Sequence, residues 1–295
     1  MIKSEIYASI TEKIITNLEK CGSWQQLWQN SPPLSLNGHI YRGINRLMLA
    51  NDMFSSRVYG TFQQIRSNGG SVRKGEKSTL VVFWKKLISP DPVTQEPKVH
   101  FLLRYFHIFN TEQADFDEIG RRKIEAMNGQ EVQKTVSAEQ IIAGYHHAPE
   151  IIYTNDDDDP HYNYVKDYIK VPHISRFPSA DAFYQVLYHE AGHSTMHESR
   201  LNRVEGRNNT FGDENYCKEE LVAELCGAFL SNAAGLHNQQ NSTAYIQMYL
   251  NYMRENHRLI VWAASRAEKA AEYILGIQHV NAENEHQEVP EPAFA

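Results

Sequence analysis

Hydrophobic residues in the first third of the chain recur first with the period of a helix and then with that of a strand. An apolar stripe with three- and four-residue spacing predicts a helix from Ile2 to Lys20, because residues so spaced share one helix face. The stripe consists of Ile6, Ile10, Ile14, Ile15 and Leu18. Shorter helical patterns predict helices near residues 46–54 and 61–67. Residues 79–84, rich in β-branched and aromatic side chains, and residues 99–109, which alternate, predict two strands that pair.

The middle of the chain has weaker periodicity. Residues 110–128 are charged and predict a linker or short helices. The segment from Val136 to Tyr145 predicts a helix, since Ser137 can cap its start and Gln140 completes a capping box. Residues 167–172 alternate between polar and apolar side chains and predict a strand.

Two apolar segments and a long helical region follow this strand. The run from Phe183 to Tyr188 predicts a buried helix, whose start Ser179 or Asp181 can cap. Residues 218–230 place apolar side chains at helical spacing, and residues 244–275 are mostly helical by the same criterion.

The charge distribution divides the chain. Residues 1–107 hold 14 Lys and Arg against 7 Asp and Glu, a net charge of +7, whereas residues 108–295 hold 15 against 29, a net charge of −14. Different electrostatics in the two parts predict different partners. With the periodicity, this predicts an α+β chain with a mixed α/β domain at residues 1–128, a second domain at residues 129–280 and a flexible tail at residues 281–295.

Cysteine usage and hydropathy indicate where the protein works. Cys21, Cys217 and Cys226 are too scattered for a disulfide framework or a cysteine zinc site, which predicts a reducing, cytoplasmic location. No uncharged apolar run approaches the ~20 residues that cross a bilayer, so no membrane partner is predicted.

The segment from His189 to His193 carries the strongest chemical pattern. Residues four apart stand one turn apart on one helix face, so His189 and His193 can both offer a ring nitrogen to one ion. Glu190 lies beside such an ion and can take a proton from water that zinc has acidified. The spacing predicts a zinc-dependent hydrolase, most often one acting on peptides. The alternative is a pair of histidines that pack in the core or face solvent.

A catalytic zinc also needs a third protein ligand. His197 continues the same predicted helix and is therefore badly placed to supply it. The downstream helix offers Glu219, Glu220 and Glu224, of which we predict Glu220 as the ligand. Glu224, one turn away, is predicted to accept the N–H of a ligand histidine. The alternative for these acids is a solvated helix face.

Basic and aromatic residues are interleaved in the first 107 residues. Single-stranded nucleic acid needs this combination, because cations pair with phosphates and flat rings stack on bases. The set is Tyr41, Arg42, Arg46, Phe62, Arg66, Arg73, Lys74, Lys77, Trp84 and Lys85. On composition alone, core aromatics with a solvated basic face are the slightly favoured interpretation.

Six motifs in series resemble the ArdC antirestriction family over nearly the whole chain. They are the segments 41–45 (YRGIN), 72–77 (VRKGEK), 81–84 (VVFW), 189–193 (HEAGH), 200–203 (RLNR) and 219–224 (EELVAE). Each is weak alone, but their order makes the resemblance specific. The acidic loop near Asp156 departs from the family pattern, so the resemblance does not define the entrance of the cleft.

The resemblance implies an N-terminal single-stranded DNA-binding domain followed by a zincin-like metallopeptidase domain, as encoded on plasmids and other mobile elements. Carried over by position, His189, His193 and Glu220 would hold Zn²⁺, and Glu190 would be the general base. It also makes DNA binding the favoured interpretation of the N-terminal residues. The predicted DNA contacts are Tyr41, Arg42, Asn45, Arg46, Arg73, Lys74, Lys77 and Trp84.

Together these observations predict an antirestriction-type protein that binds single-stranded DNA and cleaves a protein whose identity the sequence does not give. The strand at residues 167–172 is predicted to pair with an extended substrate. His161, Tyr162 and Tyr164 are candidates to assist at the carbonyl. The alternative is a non-proteolytic protein that shields single-stranded DNA and in which zinc is structural.

Overall fold

A computed structural model of the chain describes residues 2–21, 32–50, 54–90, 96–129, 137–155, 159–203, 214–236 and 243–277. The helices are α1 (Lys3–Cys21), α2 (Ile44–Ala50), α3 (Phe62–Ser67), α4 (Glu118–Gly129), α5 (Ala138–Ala143), α6 (Ala180–Ser194), α7 (Glu214–Ala233), α8 (Thr243–Glu255) and α9 (Leu259–Ile274). The strands are β1 (Leu34–Ser35), β2 (Val58–Thr61), β3 (Gly70–Val72), β4 (Thr79–Pro90), β5 (Pro97–Asn110), β6 (Ala114–Phe116), β7 (Glu150–Thr154), β8 (His161–Asn163) and β9 (Tyr168–Pro172). Part of the acidic loop, at residues 156–158, and the predicted tail at residues 281–295 lie outside the described residues.

The N-terminal part is built on a four-stranded sheet with the order β1-β2-β5-β4. β4 and β5 are the two predicted strands; they pair antiparallel as expected, from Thr79 opposite Ile108 to Pro90 opposite Pro97. β3 and β6 form a separate antiparallel ribbon. The charged region 110–128, predicted as a linker or short helices, contains β6 and most of α4.

Local capping signals set two helix starts, those of α5 and α6, as the sequence predicts. The Ser137 side chain accepts a hydrogen bond from the Gln140 N–H, and the Gln140 side chain accepts one from the Ser137 backbone N–H, which completes the predicted capping box of α5. Ser179, rather than Asp181, caps α6 by accepting from the Ala182 N–H at 3.1 Å. α6 ends at Ser194, so His197 lies beyond the helix and does not continue it.

A three-stranded sheet with the order β7-β9-β8 lies against α6. β9 is the strand predicted at residues 167–172, and it is the central strand: it pairs parallel with β7 and antiparallel with β8. Both of its edges are therefore occupied, and the prediction that this strand pairs with a substrate is wrong. The edge strand of the described sheet beside α6 is β8.

One hydrophobic core joins elements from both predicted domains. The stripe of α1 is buried in the same cluster as residues of α2, β4, α6, α7 and α9. α9 is buried along much of its length, with Trp262 only 1% exposed. The helical region 244–275 is two helices, because residues 256–258 interrupt it between α8 and α9. None of the described helices is both long enough and apolar enough to span a membrane.

Candidate metal centre and nucleic-acid cleft

The candidate ligands are brought together by close packing of α6 on α7. Gly192 faces α7 so closely that an added Cβ would lie 3.1 Å from the Cα of Ala223 and 3.2 Å from the Cβ of Cys226. At Gly227 of α7, an added Cβ would lie 3.4 Å from the backbone nitrogen of His189. Small residues at the crossing therefore let the histidine face of α6 approach the carboxylates of α7.

Three donor groups converge between these helices: His189, His193 and Glu220. The two histidine Nε2 atoms are 3.1 Å apart. The Glu220 carboxylate oxygens lie 3.5 Å from Nε2 of His189 and 3.4 Å from Nε2 of His193. Ligands bound tetrahedrally at about 2.0–2.1 Å stand roughly 3.4 Å from one another, so these separations fit one small divalent ion.

The other ring nitrogens of the histidines face different glutamates. Nδ1 of His193 is 3.2 Å from Oε1 of Glu219, a residue that is 4% exposed. Nδ1 of His189 is 3.8 Å from Oε1 of Glu224, beyond direct hydrogen-bond distance. Because an ionised carboxylate only accepts hydrogen bonds, Glu219 places the proton of His193 on Nδ1. The lone pair of Nε2 is thereby directed to the metal site.

Glu219 is itself held by an arginine that follows the motif helix. The guanidinium of Arg203 donates to Oε1 of Glu219 at 2.7 Å and to the Gly192 carbonyl at 3.1 Å. Glu219 was predicted only as an alternative ligand, and Glu224 was predicted as the residue that orients a ligand histidine. A run of acids on one helix does not reveal which member faces which histidine until the packing angle of the two helices is known.

The electrostatics of the centre reflect its negative charge. Burial opposes the charged form of both histidines, but neighbouring carboxylates, Glu220 first among them, outweigh it. The pKa of His189 is raised and that of His193 is raised well above its ordinary value. Burial also acts against ionised Glu220, yet the facing histidines lower its pKa. A cation is favoured at this position.

Glu190 lies beside the three donors on α6 and is 7% exposed. The negative charge of Glu190 contributes to the raised pKa of both histidines, so its carboxylate is close enough to interact with them electrostatically. Among the described residues, none donates a hydrogen bond to this carboxylate. Glu190 is therefore available for chemistry, whereas Glu219 is committed to Arg203 and His193.

The candidate assisting residues lie in a polar cluster between α6 and the β8–β9 pair. The Tyr162 hydroxyl donates to Asp167 at 2.7 Å, and Arg200 donates to the Tyr162 hydroxyl at 3.1 Å and also to Asp167. The Tyr162 hydroxyl is therefore held within this cluster by Asp167 and Arg200. The Tyr164 ring packs on His197 with 5.3 Å between centroids, and the His161 ring packs on Tyr168.

Three of the predicted DNA contacts are core residues. Tyr41, Asn45 and Trp84 are 6%, 4% and 5% exposed. The Asn45 side chain exchanges two hydrogen bonds with the backbone of Val82, at 2.7 and 2.8 Å. Burial raises the pKa of Tyr41 to about 12. The sequence did not reveal this burial, which depends on how the segment 41–45 docks on β4.

The two neighbouring arginines are engaged with α9. Arg42 forms an ion pair with Glu272, at a half-buried position. Arg46 packs its guanidinium over the Phe229 ring at 5.4 Å, and burial lowers its pKa against the attraction of Glu268 and Glu272. The prediction that Arg46 contacts DNA is not supported by this position, because its charge is balanced within the protein.

The remaining predicted contacts stand on the turn between β3 and β4. Lys74 and Lys77 are exposed. Arg73 is also exposed and pairs with Glu76 at 3.2 Å and with Asp115 at 3.3 Å. None of these three residues lines the cleft that contains Tyr41 and Arg42.

That cleft has a volume of about 510 Å³ and lies between one face of the β4–β5 pair, the segment 39–45 and α9. The side chains of Phe83 and Phe106 line it, with 5.6 Å between their ring centroids, and Phe106 is 41% exposed. Lys85, Arg104 and Lys269 line it as well. Phe106 and Arg104 were missed in the sequence, although strand alternation puts them on one face with Phe83 and Lys85.

Comparison with known proteins decides the family. Residues 4–134 match the model of the N-terminal domain of the anti-restriction factor ArdC, and residues 137–266 match a zincin-like metallopeptidase model. The crystal structure of the antirestriction protein ArdC from plasmid R388, in its metal-free form, is 33% identical, with a TM-score of 0.70 over 92% of this chain and 99% of that one. The chain belongs to the ArdC antirestriction family. The Mn(II)-bound crystal form of the R388 ArdC protein superposes equally well, with a TM-score of 0.70 at 32% identity over 92% of this chain and 97% of that one.

Some curated relatives are larger proteins that contain a region similar to this chain. Two DNA primases TraC of Escherichia coli are each 30% identical over 99% and 94% of this chain. The chain spans only 29% and 20% of their lengths. An uncharacterised protein of Sinorhizobium fredii, y4eC, is 28% identical over 96% of this chain and 95% of its own length. The ArdC resemblance and the predicted fold class, an N-terminal mixed α/β domain with a zincin-like domain, are confirmed.

Proposed function

We propose that this ArdC-family protein is a zinc-dependent peptidase that also binds single-stranded DNA. The observation that carries the first part is the convergence of His189, His193 and Glu220 beside an uncommitted Glu190. Two imidazoles and one carboxylate form the donor set of zinc peptidase sites. The Mn(II)-bound form of the ArdC relative supports a divalent metal in this fold.

A zinc ion held by these three residues would supply Lewis-acid activation of water and of a peptide carbonyl. Glu190 takes the proton from the attacking water and delivers it to the departing amine. Glu219 and Arg203 hold His193 in the tautomer that keeps Nε2 directed to the site. The buried walls of α6 and α7 limit access of bulk water to Glu190.

The substrate is proposed to bind as an extended peptide along β8. This strand is the edge of the described β7-β9-β8 sheet and lies against α6, so its outer backbone groups can pair with another strand. This places the peptide beside the motif helix. The identity of the cleaved protein is not determined by these contacts, since backbone pairing is largely independent of side chains.

The DNA-binding part of the proposal rests on the cleft beside β4 and β5. Phe83 and Phe106 offer aromatic faces to unstacked bases, and Lys85, Arg104 and Lys269 offer cations to phosphates. The net charge of +7 over residues 1–107 supports an anionic partner for this half of the chain.

The test combines cleavage and DNA binding in one set of proteins. Zinc-loaded wild type and Glu190→Gln are incubated with a panel of DNA-binding proteins, with and without single-stranded DNA, and cleavage is measured by mass spectrometry. Glu190→Gln removes the base but no metal ligand, so it should retain zinc and DNA binding while losing at least 100-fold in cleavage rate, the range of general-base contributions being about 10²–10⁴.

The outcomes separate the two classes of function. Cleavage by wild type alone supports the peptidase. No cleavage of any protein by either form, together with tight DNA binding and equal protection of DNA from restriction by both, would instead establish a protein that shields single-stranded DNA and uses the metal structurally.

A further inference from the structure

The cleft beside β4 and β5 has two chemically different ends. Lys85 and Arg104 are exposed on its strand side. On the α9 side lie two carboxylates, Glu268 and Glu272, together with Lys269. A carboxylate repels phosphate and accepts hydrogen bonds, so a group that contacts Glu268 directly must be uncharged and able to donate hydrogen bonds. The phosphates of a bound nucleic acid are left to the basic side chains Lys85, Arg104 and Lys269.

Glu268 is positioned to receive such donors. Its Oε2 atom accepts the Gly43 N–H at 2.6 Å, which fixes the carboxylate against the segment 41–45. Among the described residues, none donates a hydrogen bond to its other oxygen. Glu272 differs, because it is paired with Arg42. Glu268 thus offers a fixed acceptor in a cleft with aromatic walls.

The backbone at Gly43 makes this arrangement possible. Gly43 has a φ of +52°, a conformation that favours glycine. An added Cβ would make only ordinary van der Waals contacts with α9, at 3.7 Å from Oε2 of Glu268 and 3.9 Å from the Cα of Ser265, so the positive φ is what favours glycine here. The turn therefore presents its N–H to Glu268 and keeps the carboxylate oriented without an arginine in direct contact.

We propose that this cleft binds one unstacked nucleobase of a single strand and that Glu268 reads its hydrogen-bonding edge, with a preference for guanine. Guanine presents two adjacent N–H donors, N1–H and the N2 amino group, which match a group that only accepts. Thymine has one ring N–H between two carbonyls, and the Watson–Crick edges of adenine and cytosine place a ring acceptor beside the amino group, so each meets a carboxylate less well. Phe106 and Phe83 supply the stacking faces, and Arg104 and Lys85 contact the flanking phosphates.

The cleft also has a suitable size and ionisation state. Its volume of about 510 Å³ falls within the roughly 300–1,000 Å³ of small-molecule sites. Burial first, and then the charge of Glu272, raise the pKa of Glu268 to about 7. At pH 8 the carboxylate is mainly ionised and acts as an acceptor.

This inference rests on the proposed binding of single-stranded DNA and is tested with oligonucleotides on the full chain. Fluorescence anisotropy at pH 8 compares a 15-residue oligothymidine with versions that carry one guanine, adenine or cytosine at the centre. Wild type should bind the guanine version on the order of tenfold more tightly than the others, in line with one good base-edge contact. Glu268→Gln should lose this preference, because an amide presents one acceptor and two donors, while retaining binding to oligothymidine.

Two further variants distinguish recognition from general charge and from misfolding. Phe106→Ala should weaken binding of every oligonucleotide on the order of tenfold. Its matched control, Leu102→Ala, changes a 45% exposed residue on the same face of β5 that does not line the cleft, and should bind as wild type does. Glu255→Gln, at an exposed position of α8, is the control for removal of one negative charge.

The failures of the two proposals differ. If wild type binds no oligonucleotide, both single-strand binding and the base site are wrong. If it binds all four equally, or if Glu268→Gln keeps the guanine preference, only the base site is wrong and DNA binding stands.

Discussion

Glu219 is a single buried residue with two partners, and it holds one of the candidate ligands in place. Its Oε1 atom is 3.2 Å from Nδ1 of His193 and 2.7 Å from the Arg203 guanidinium. Partners of this kind fix the orientation of a ligand histidine and raise its affinity for metal. Glu219 contacts the ring nitrogen of His193 that does not face the metal site, so it is a positioning residue.

We therefore expect Glu219→Gln to lower the affinity for Zn²⁺ by about 10–100-fold, the usual loss for such partners. The neutral amide oxygen accepts weaker hydrogen bonds from Arg203 and His193 than the charged carboxylate does, and the side-chain volume is nearly unchanged. Competition with a fluorescent chelator measures the affinity.

Circular dichroism checks that the Glu219→Gln variant is folded, and Glu255→Gln provides an exposed charge-matched control. Equal zinc affinity of Glu219→Gln and wild type would show that His193 needs no such support.

Among elements, the α6–α7 crossing decides whether the donors meet. Gly192, within the motif, faces Ala223 and Cys226 so closely that an added methyl group would require them to shift by a few tenths of an ångström. Gly192→Ala should push the helices apart and cost about 1–3 kcal/mol of unfolding free energy by overpacking. The same displacement moves Glu220 away from both histidines and should lower zinc affinity.

Thermal unfolding and zinc titration measure both effects of Gly192→Ala. Gly129→Ala, at the end of α4 where an added Cβ meets nothing within 4 Å, is the matched control and should unfold as wild type does. A Gly192→Ala variant as stable as wild type would mean that the two helices can separate without cost.

Elements with strong local signals were predictable from the sequence, and their contacts were not. The β4–β5 pair shows the alternation of strands, and α5 begins at a side-chain capping box. Each signal is contained within a few residues of sequence. β7 and β8, of five and three residues, are too short to show a period, so β9 was mistaken for an edge strand. The burial of Tyr41 and Trp84 arises from docking of distant segments, which no local pattern encodes.

The candidate metal ligands were predictable for a related reason. Histidines four apart are on one face in any helix, so His189 and His193 needed no tertiary information. The choice among Glu219, Glu220 and Glu224 depends on how α7 is rotated against α6. Among the three glutamates of α7, the sequence pattern favoured Glu220 as the ligand, but it did not identify Glu219 as the partner of His193.

For the whole molecule, charged groups connect α9, at the C-terminal end of the described residues, to the segment 41–46 within the N-terminal family match. Glu268 is faced by Glu272 from its own helix, by Lys269 beside it, and by Arg42 and Arg46 from that segment. The predicted boundary between residues 128 and 129 remains a prediction, and the shared core indicates that the two matched family regions do not pack independently of each other.

This contact predicts a pH dependence of stability. Burial and then the charge of Glu272 raise the pKa of Glu268 from 4.5 to about 7 in the folded protein. The folded state therefore binds the proton more tightly than the unfolded state. The stability that Glu268 contributes is fully present below pH 4.5 and is lost as the pH rises to about 7.

Glu268→Gln removes this titration, so the free energy of unfolding of the variant relative to wild type should increase between pH 5 and pH 8. The expected change in the free energy of unfolding is on the order of 2 kcal/mol. This is less than the free energy that corresponds to the full pKa shift of Glu268, because the side chain is partly exposed. Urea unfolding of both proteins at the two pH values, in metal-free buffer, measures it. Glu255→Gln, exposed on α8, should parallel wild type at both pH values. If the difference in unfolding free energy between wild type and Glu268→Gln is the same at both pH values, Glu268 is ionised across this range. Arg42 and Arg46 then stabilise its carboxylate more strongly than burial and Glu272 oppose ionisation.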